Sequence, residues 1–65
     1  MRMTATFGPW TATVGRSGAV LTAEGMRRNF WTAAMARAHK PASEAERAAQ
    51  AWAVARLEEM EDADG

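Results

Sequence analysis

The chain has 65 residues with eight basic and eight acidic side chains, so its net charge at neutral pH is zero. That length allows one small domain, whose core alone contributes only about 3–5 kcal/mol. The sequence has no cysteine and one histidine, which excludes disulfides, thiolate metal sites and histidine-rich zinc sites. No segment is apolar enough to span a bilayer or to form a signal core. We therefore expect a cytoplasmic protein, or one assembled into an intracellularly made particle, without a membrane partner.

The charges are divided unevenly along the chain. Residues 1–42 contain six basic side chains against one acidic, whereas residues 43–65 contain two basic against seven acidic. This asymmetry is typical either of a basic surface for nucleic acid or of two surfaces that meet each other.

Residues 3–7 and 10–14 alternate apolar side chains with threonine, the period-two pattern of β-strands. Gly8-Pro9 separates them and is either a tight reversal or a bend in one long edge strand, since proline cannot donate to a central ladder. Of the two we favour a bend or short loop. Residues 15–18 read as a turn rather than as a phosphate-binding loop. Residues 19–21 then return as a short strand, which gives a predicted hairpin between 10–14 and 19–21.

The next stretch reads as a helix over residues 23–39. Thr22 is placed to cap its first turn, and Glu24 complements the positive end of its dipole. Gly25 costs up to about 1 kcal/mol in such a helix. At 100° per residue the apolar side chains form two stripes. One stripe contains Ala23, Met26, Phe30, Ala33 and Ala34, and the other contains Trp31, Met35 and Ala38.

A second helix is predicted over residues 44–61, because Ser43 and Glu46 form a capping box after Pro41. We expect an acidic tail at 62–65 to fray. The predicted fold class is α+β, a single domain over 1–65. A β-hairpin or short meander at 3–21 precedes an antiparallel two-helix hairpin, because the connection between the helices is short.

Catalytic residues are not evident in this sequence. His39 could be polarised by Glu44 or Glu46, yet only Thr32 and Ser43 offer a nearby hydroxyl, and capping of the first helix is the simpler role. The acidic residues from Glu58 onward match no calcium loop. We therefore predict a protein that is not an enzyme and has no metal, cofactor or small-molecule substrate.

Two surfaces are candidates for binding a macromolecule. The first is apolar, because three tryptophans exceed what so small a core encloses, and it predicts a homo-oligomer or a subunit of a larger assembly. Its residues are Phe30, Trp31, Met35, Trp52 and Trp10. The alternative is a small nucleic-acid-binding regulator that uses a basic first helix. Its residues are Arg16, Arg27, Arg28, Arg37 and Lys40.

Overall fold

The computed structural model describes residues 2–64, with side chains up to residue 62. Within that range the chain forms four strands followed by a short and a long helix. In chain order these are β1 (Met3–Phe7), β2 (Trp10–Gly15), β3 (Gly18–Ala23), β4 (Met26–Phe30), α1 (Ala33–Ala38) and α2 (Glu44–Asp64). The predicted fold of a short β-region and a two-helix hairpin is therefore wrong. The chain forms an N-terminal four-stranded meander, which includes most of the first predicted helix, and then a short and a long helix.

The strands form one antiparallel sheet in the order β1-β2-β3-β4. Phe7 pairs with Trp10, so Gly8-Pro9 is a two-residue reversal rather than the predicted bend. Gly8 has a φ of 56°, which suits the first central position of a hairpin turn. The predicted pairing of 10–14 with 19–21 is present within β2 and β3, where Ala12 lies opposite Leu21.

The predicted helix over 23–39 is wrong over most of its length. Residues 18–23 and 26–30 are paired strands joined by the turn at Glu24-Gly25, and helix begins only at Ala33. Gly25 has a φ of 74°, a backbone conformation outside the helical region that glycine adopts readily. The cap is Thr32 rather than Thr22, since the amide of Met35 donates to Thr32 Oγ1 over 3.1 Å.

The two faces of the sheet differ in composition, because side chains alternate along each strand. The inner face is covered by the helices and carries most of the apolar side chains. Its fully buried members include Ala12, Val14 and Leu21, and α2 adds Ala49 and Ala53. Alanine at these positions lets the α2 backbone approach the sheet closely.

The start of α2 follows the predicted capping box, with one change. The amide of Glu46 donates to Ser43 Oγ over 3.1 Å. Glu46 reaches back to the amide of Ala42 over 2.9 Å, whereas a standard box uses the amide of the cap itself. The helix runs on to Asp64, beyond the predicted end at 61. The predicted fraying of 62–65 includes Gly65, which lies outside the described residues.

Helix α1 lies beside α2 and runs in the opposite direction. The amide of Ala33 donates to Glu61 Oε2 over 3.2 Å, and the side chain of Arg37 pairs with Glu58. At the other end, Gln50 Nε2 donates to the carbonyl of Ala36 over 2.6 Å. With only six residues, α1 is too short to form the long helical hairpin that the sequence predicted.

Candidate binding surfaces

Glu46 is the centre of a polar cluster between the sheet and the two helices. Its side chain is fully buried. Oε2 accepts hydrogen bonds from His39 Nε2 over 2.6 Å and from Arg28 Nε over 3.2 Å, while Oε1 accepts from the amide of Ala42 over 2.9 Å. The cluster ties β4, the end of α1 and the start of α2 to one carboxylate.

The charge on Glu46 is maintained by these donors. Burial by itself raises the pKa of a carboxyl group, because it disfavours the charged form. The hydrogen bonds from Ala42, His39 and Arg28 act in the opposite direction and outweigh burial, so the pKa of Glu46 is lowered from its ordinary value. The side chain is therefore a carboxylate at neutral pH.

The residues considered for catalysis are engaged in structural contacts. The ring of His39 packs against Phe30, with centroids 5.3 Å apart, and its Nε2 is bound to Glu46. The predicted capping of α1 by His39 is made instead by Gln50, which donates to the carbonyls of Ala36 and His39. Thr32 and Ser43 accept hydrogen bonds from amides at the helix starts.

The five predicted interface residues lie in different environments. Trp10 and Phe30 are buried in the core. Trp52 is partly buried, packed against Phe7 with ring centroids 6.1 Å apart and covered by the guanidinium of Arg56.

The other two predicted interface residues are exposed. Trp31 is 68% exposed and Met35 is 43% exposed. Met35 lies in the first turn of α1, and Trp31 immediately precedes its cap residue Thr32. Ala34 and Ala38 are exposed as well, whereas Ala33 and Ala36 are buried against the rest of the protein. We call the exposed set, Trp31, Ala34, Met35 and Ala38, the α1 stripe. Ala34, Met35 and Ala38 share one side of α1 by their spacing, and Trp31 precedes the extended cap residue Thr32 at the start of the helix.

A groove borders α1 on the side of α2. It has a volume of about 450 Å³ and its apolar lining includes Pro41, Ala51, Val54 and Ala55. Arg37 lines the groove too, so α1 forms part of its wall. The two exposed alanines of the α1 stripe were not among the predicted interface residues, although the helical spacing already connected Ala38 with Trp31 and Met35.

The five basic residues of the alternative hypothesis are likewise divided. Arg28 is bound to Glu46, with its guanidinium 5.6 Å from the Trp10 ring, and Arg37 is bound to Glu58. Lys40 is exposed in the connection between the helices. Arg16 and Arg27 are exposed at a turn and on β4, so the basic first helix is replaced by a basic sheet region.

The outer face of the sheet is polar, and no carboxylate stands among the described strand residues on this face. Two rows cross all four strands, as the pairing register shows. One row contains Thr4, Thr13, Val20 and Asn29, and the other contains Thr6, Thr11, Thr22 and Arg27. Along this face lie two adjoining recesses of about 220 and 470 Å³, of which the smaller is lined by Trp31.

The two recesses form a continuous trough, because both are lined by Ser17, Gly18 and Val20. The smaller recess is bounded by Trp31 and Arg27, and the larger by Arg2 and Arg16. Arg2 was not predicted as a binding residue. It directly precedes β1, and its place two residues before Thr4 is the signal that puts it on the side of this face.

The described part of the chain shows neither a metal-binding cluster nor a membrane-spanning helix. No group of three or more histidine and acidic side chains there is arranged to hold a metal ion. Neither described helix combines the length and hydrophobicity needed to span a membrane. Comparison with known proteins found no matching family model, no matching curated protein and no matching solved structure.

Proposed function

We propose that this protein is a non-enzymatic protein-binding subunit, which joins copies of itself or a larger complex such as a phage or other accessory structural assembly. The observation that carries the proposal is the exposure of Trp31, of which 68% is open to solvent. The folded chain buries Trp10 at 3% exposure, so it has a core that encloses an indole but does not enclose this one.

The α1 stripe is more than a single exposed side chain. Isolated apolar residues are common on protein surfaces, whereas contiguous apolar patches mark interaction sites. The buried side of α1 consists of alanine side chains. The bulky apolar side chain of this helix, Met35, lies on the exposed side. The helix thus presents its larger apolar side to solvent, which favours a partner that covers it.

The partner surface has to extend beyond the α1 stripe. A stable interface buries about 800 Å² on each partner, which four side chains, two of them alanine, do not supply. The groove between α1 and α2 adds an apolar wall with small residues. A helix from the partner that lies along α1 and enters this groove has room for close packing against Ala51 and Ala55.

A second copy of the chain meets these requirements. In a two-fold dimer the same patch lies on both sides of the interface, so Trp31 of one copy would cover Met35 of the other. Tryptophan at the centre of such a patch is a frequent source of binding energy.

The experiment compares the wild-type chain with Met35→Gln and Trp31→Ala by light scattering after size exclusion, over a range of concentrations. We expect the wild type to associate as concentration rises and both variants to remain monomeric. The matched control is Met26→Gln, because Met26 is 45% exposed, close to the 43% of Met35, yet lies on β4. Self-association would be contradicted by a monomeric wild type at every concentration, or by equal effects of Met26→Gln and Met35→Gln.

For the cellular setting we propose the cytoplasm, or a particle assembled there. The proposal is supported by the absence of cysteine in the sequence, since domains of this size in oxidising compartments are often held by disulfides. Fractionation of cells that express the tagged chain tests it, and recovery from the exterior or from membranes would contradict it.

A further inference from the structure

We propose that the outer face of the sheet binds single-stranded nucleic acid, with a base stacked on Trp31 and phosphates bound by Arg27, Arg16 and Arg2. The proposal does not depend on self-association, although Trp31 borders both surfaces. It rests on the shape of the trough, its charge and the position of the indole.

The arginines of the trough are not paired with described acidic side chains. Three arginines line its two recesses, and among the residues that the structure describes no acidic one lines either recess. Among the described side chains none of these three arginines forms an ion pair, whereas Arg28 and Arg37 do. Arg27 Nε instead donates to Asn29 Oδ1 over 3.4 Å, which orients it along the face.

The acidic residues of the chain lie elsewhere. Before residue 44 the sequence has one acidic residue, Glu24, and the β3-β4 turn that contains it is at the opposite end of the sheet from Arg16 and Trp31. Helix α2 carries the other acidic residues and packs on the inner face. The sheet thus lies between the inner face that α2 covers and the trough, which reduces the repulsion that a polyanion would meet. Glu61 comes closer to the trough than the packing of α2 alone suggests, since its Oε2 accepts from the amide of Ala33, two residues from Trp31.

The dimensions of the trough favour single-stranded nucleic acid over a duplex. Four strands about 4.8 Å apart make a face roughly 14 Å across, which is wide enough for a few nucleotides. Trp31 stands at one end of the trough beside a recess of about 220 Å³. Stacking on an indole needs a base that is free of its partner, and aromatic side chains beside basic residues are the usual means of holding single strands.

Polar groups between these ends can contact the sugar-phosphate chain. Ser17 and Thr13 line the trough with hydroxyls, and Asn29 adds a side-chain amide. Such groups donate to phosphate oxygens without reading sequence. The expected binding is therefore weak, tolerant of sequence and sensitive to salt.

The experiment is a fluorescence-anisotropy titration of a labelled oligothymidylate of about ten nucleotides, at salt concentrations from about 50 to 200 mM. Neutralisation of three phosphates on a single strand gives a salt slope near −2 and so about a 20-fold loss of affinity over this range. We expect Trp31→Ala to weaken binding at least about fivefold. Arg16→Ala and Arg27→Ala should each weaken binding and lower the salt slope by about 0.7.

Two controls separate this proposal from the others. Arg47→Ala removes the same charge from the exposed side of α2, where Arg47 is 65% exposed, and should leave the titration unchanged. Met35→Gln keeps the trough intact and should reduce self-association without reducing oligonucleotide affinity. Since each of these residues is exposed, a thermal melt of every variant should match that of the wild type.

The proposal would be overturned by the absence of salt-dependent binding, or by an Arg47→Ala effect as large as that of Arg27→Ala. Equal affinity for the duplex form of the probe, together with no effect of Trp31→Ala, would also overturn it. Polyglutamate that competes as well as unlabelled oligothymidylate would assign the trough to an acidic protein instead.

Discussion

Glu46 and His39 join the start of α2 to the end of α1 through a hydrogen bond of 2.6 Å between Oε2 and Nε2. The same carboxylate oxygen accepts from Arg28 on β4. A single side chain therefore contacts three elements, and it acts together with the bonds of Gln50 and Glu61 that also hold α1 on α2. The contacts of the partly exposed Arg28 and His39 with a buried carboxylate explain why this polar group is tolerated beneath the helices.

Removal of the Glu46 carboxylate should destabilise the fold. Glu46→Ala leaves the Ala42 amide, Arg28 and His39 without their acceptor, so we expect the free energy of unfolding to fall by about 2–4 kcal/mol. Chemical denaturation measures the change. Glu24→Ala is the control, because Glu24 is exposed in a turn and its loss should change stability by less than about 0.5 kcal/mol. Equal effects of the two substitutions would contradict this role for Glu46.

The stability of the protein should fall in acid partly because of Glu46. The pKa of Glu46 is lower in the folded chain than its ordinary value of 4.5, so its contribution is complete above that value and is lost as the pH falls through the folded pKa. The measurement is the unfolding free energy of the wild type and of Glu46→Gln between neutral pH and acid. The difference between the two should narrow below about pH 4.5. A constant difference down to the lowest pH would contradict the lowered pKa.

The β2-β3 turn should not tolerate a side chain at Gly18. A Cβ there would lie 2.3 Å from the carbonyl oxygen of Phe30, and Gly18 has a φ of 125°. We expect Gly18→Ala to cost at least about 2 kcal/mol. Gly15→Ala is a matched control on the other side of the same turn, since its Cβ would meet nothing within 4 Å. Thermal melts compare the stabilities of the two variants. If Gly18→Ala left the stability unchanged, the pairing register at this turn would not be required.

The two tryptophans at the ends of β2 and β4 should differ in their effect on stability. Trp10 is 3% exposed, and its replacement by alanine removes a large core side chain at a cost of about 3–5 kcal/mol. Trp31→Ala should change the stability of the monomer by less than about 0.5 kcal/mol. Denaturation at low concentration measures both, and Trp10→Phe provides a folded comparison if Trp10→Ala is unfolded. A large loss with Trp31→Ala would place this indole in the core.

The candidate surfaces could be predicted only in part. The second apolar stripe of the predicted helix contains Trp31 and Met35, and both are exposed. Only Met35 lies in α1, since Trp31 precedes the extended cap residue Thr32, so helical spacing does not account for the exposure of both. The basic residues of a binding surface were harder to predict, since the sequence does not show which arginines have acidic partners. Arg28 meets Glu46 across eighteen positions and Arg37 meets Glu58 across twenty-one, and such distant pairs leave no local pattern.

The sequence by itself determined the elements whose signals are local. Period-two alternation predicted β1 and β2, the turn at 15–18 predicted the pairing with β3, and Ser43 with Glu46 predicted the start of α2. Residues 22–30 are different, because Met26 and Phe30 share a side in a helix and also in a strand. The tertiary structure decided between the two: β4 pairs with the open edge of β3, places Phe30 in the core and brings Arg28 to Glu46. A helix from residue 23 would have left the β3 edge without that strand and the buried carboxylate without that arginine.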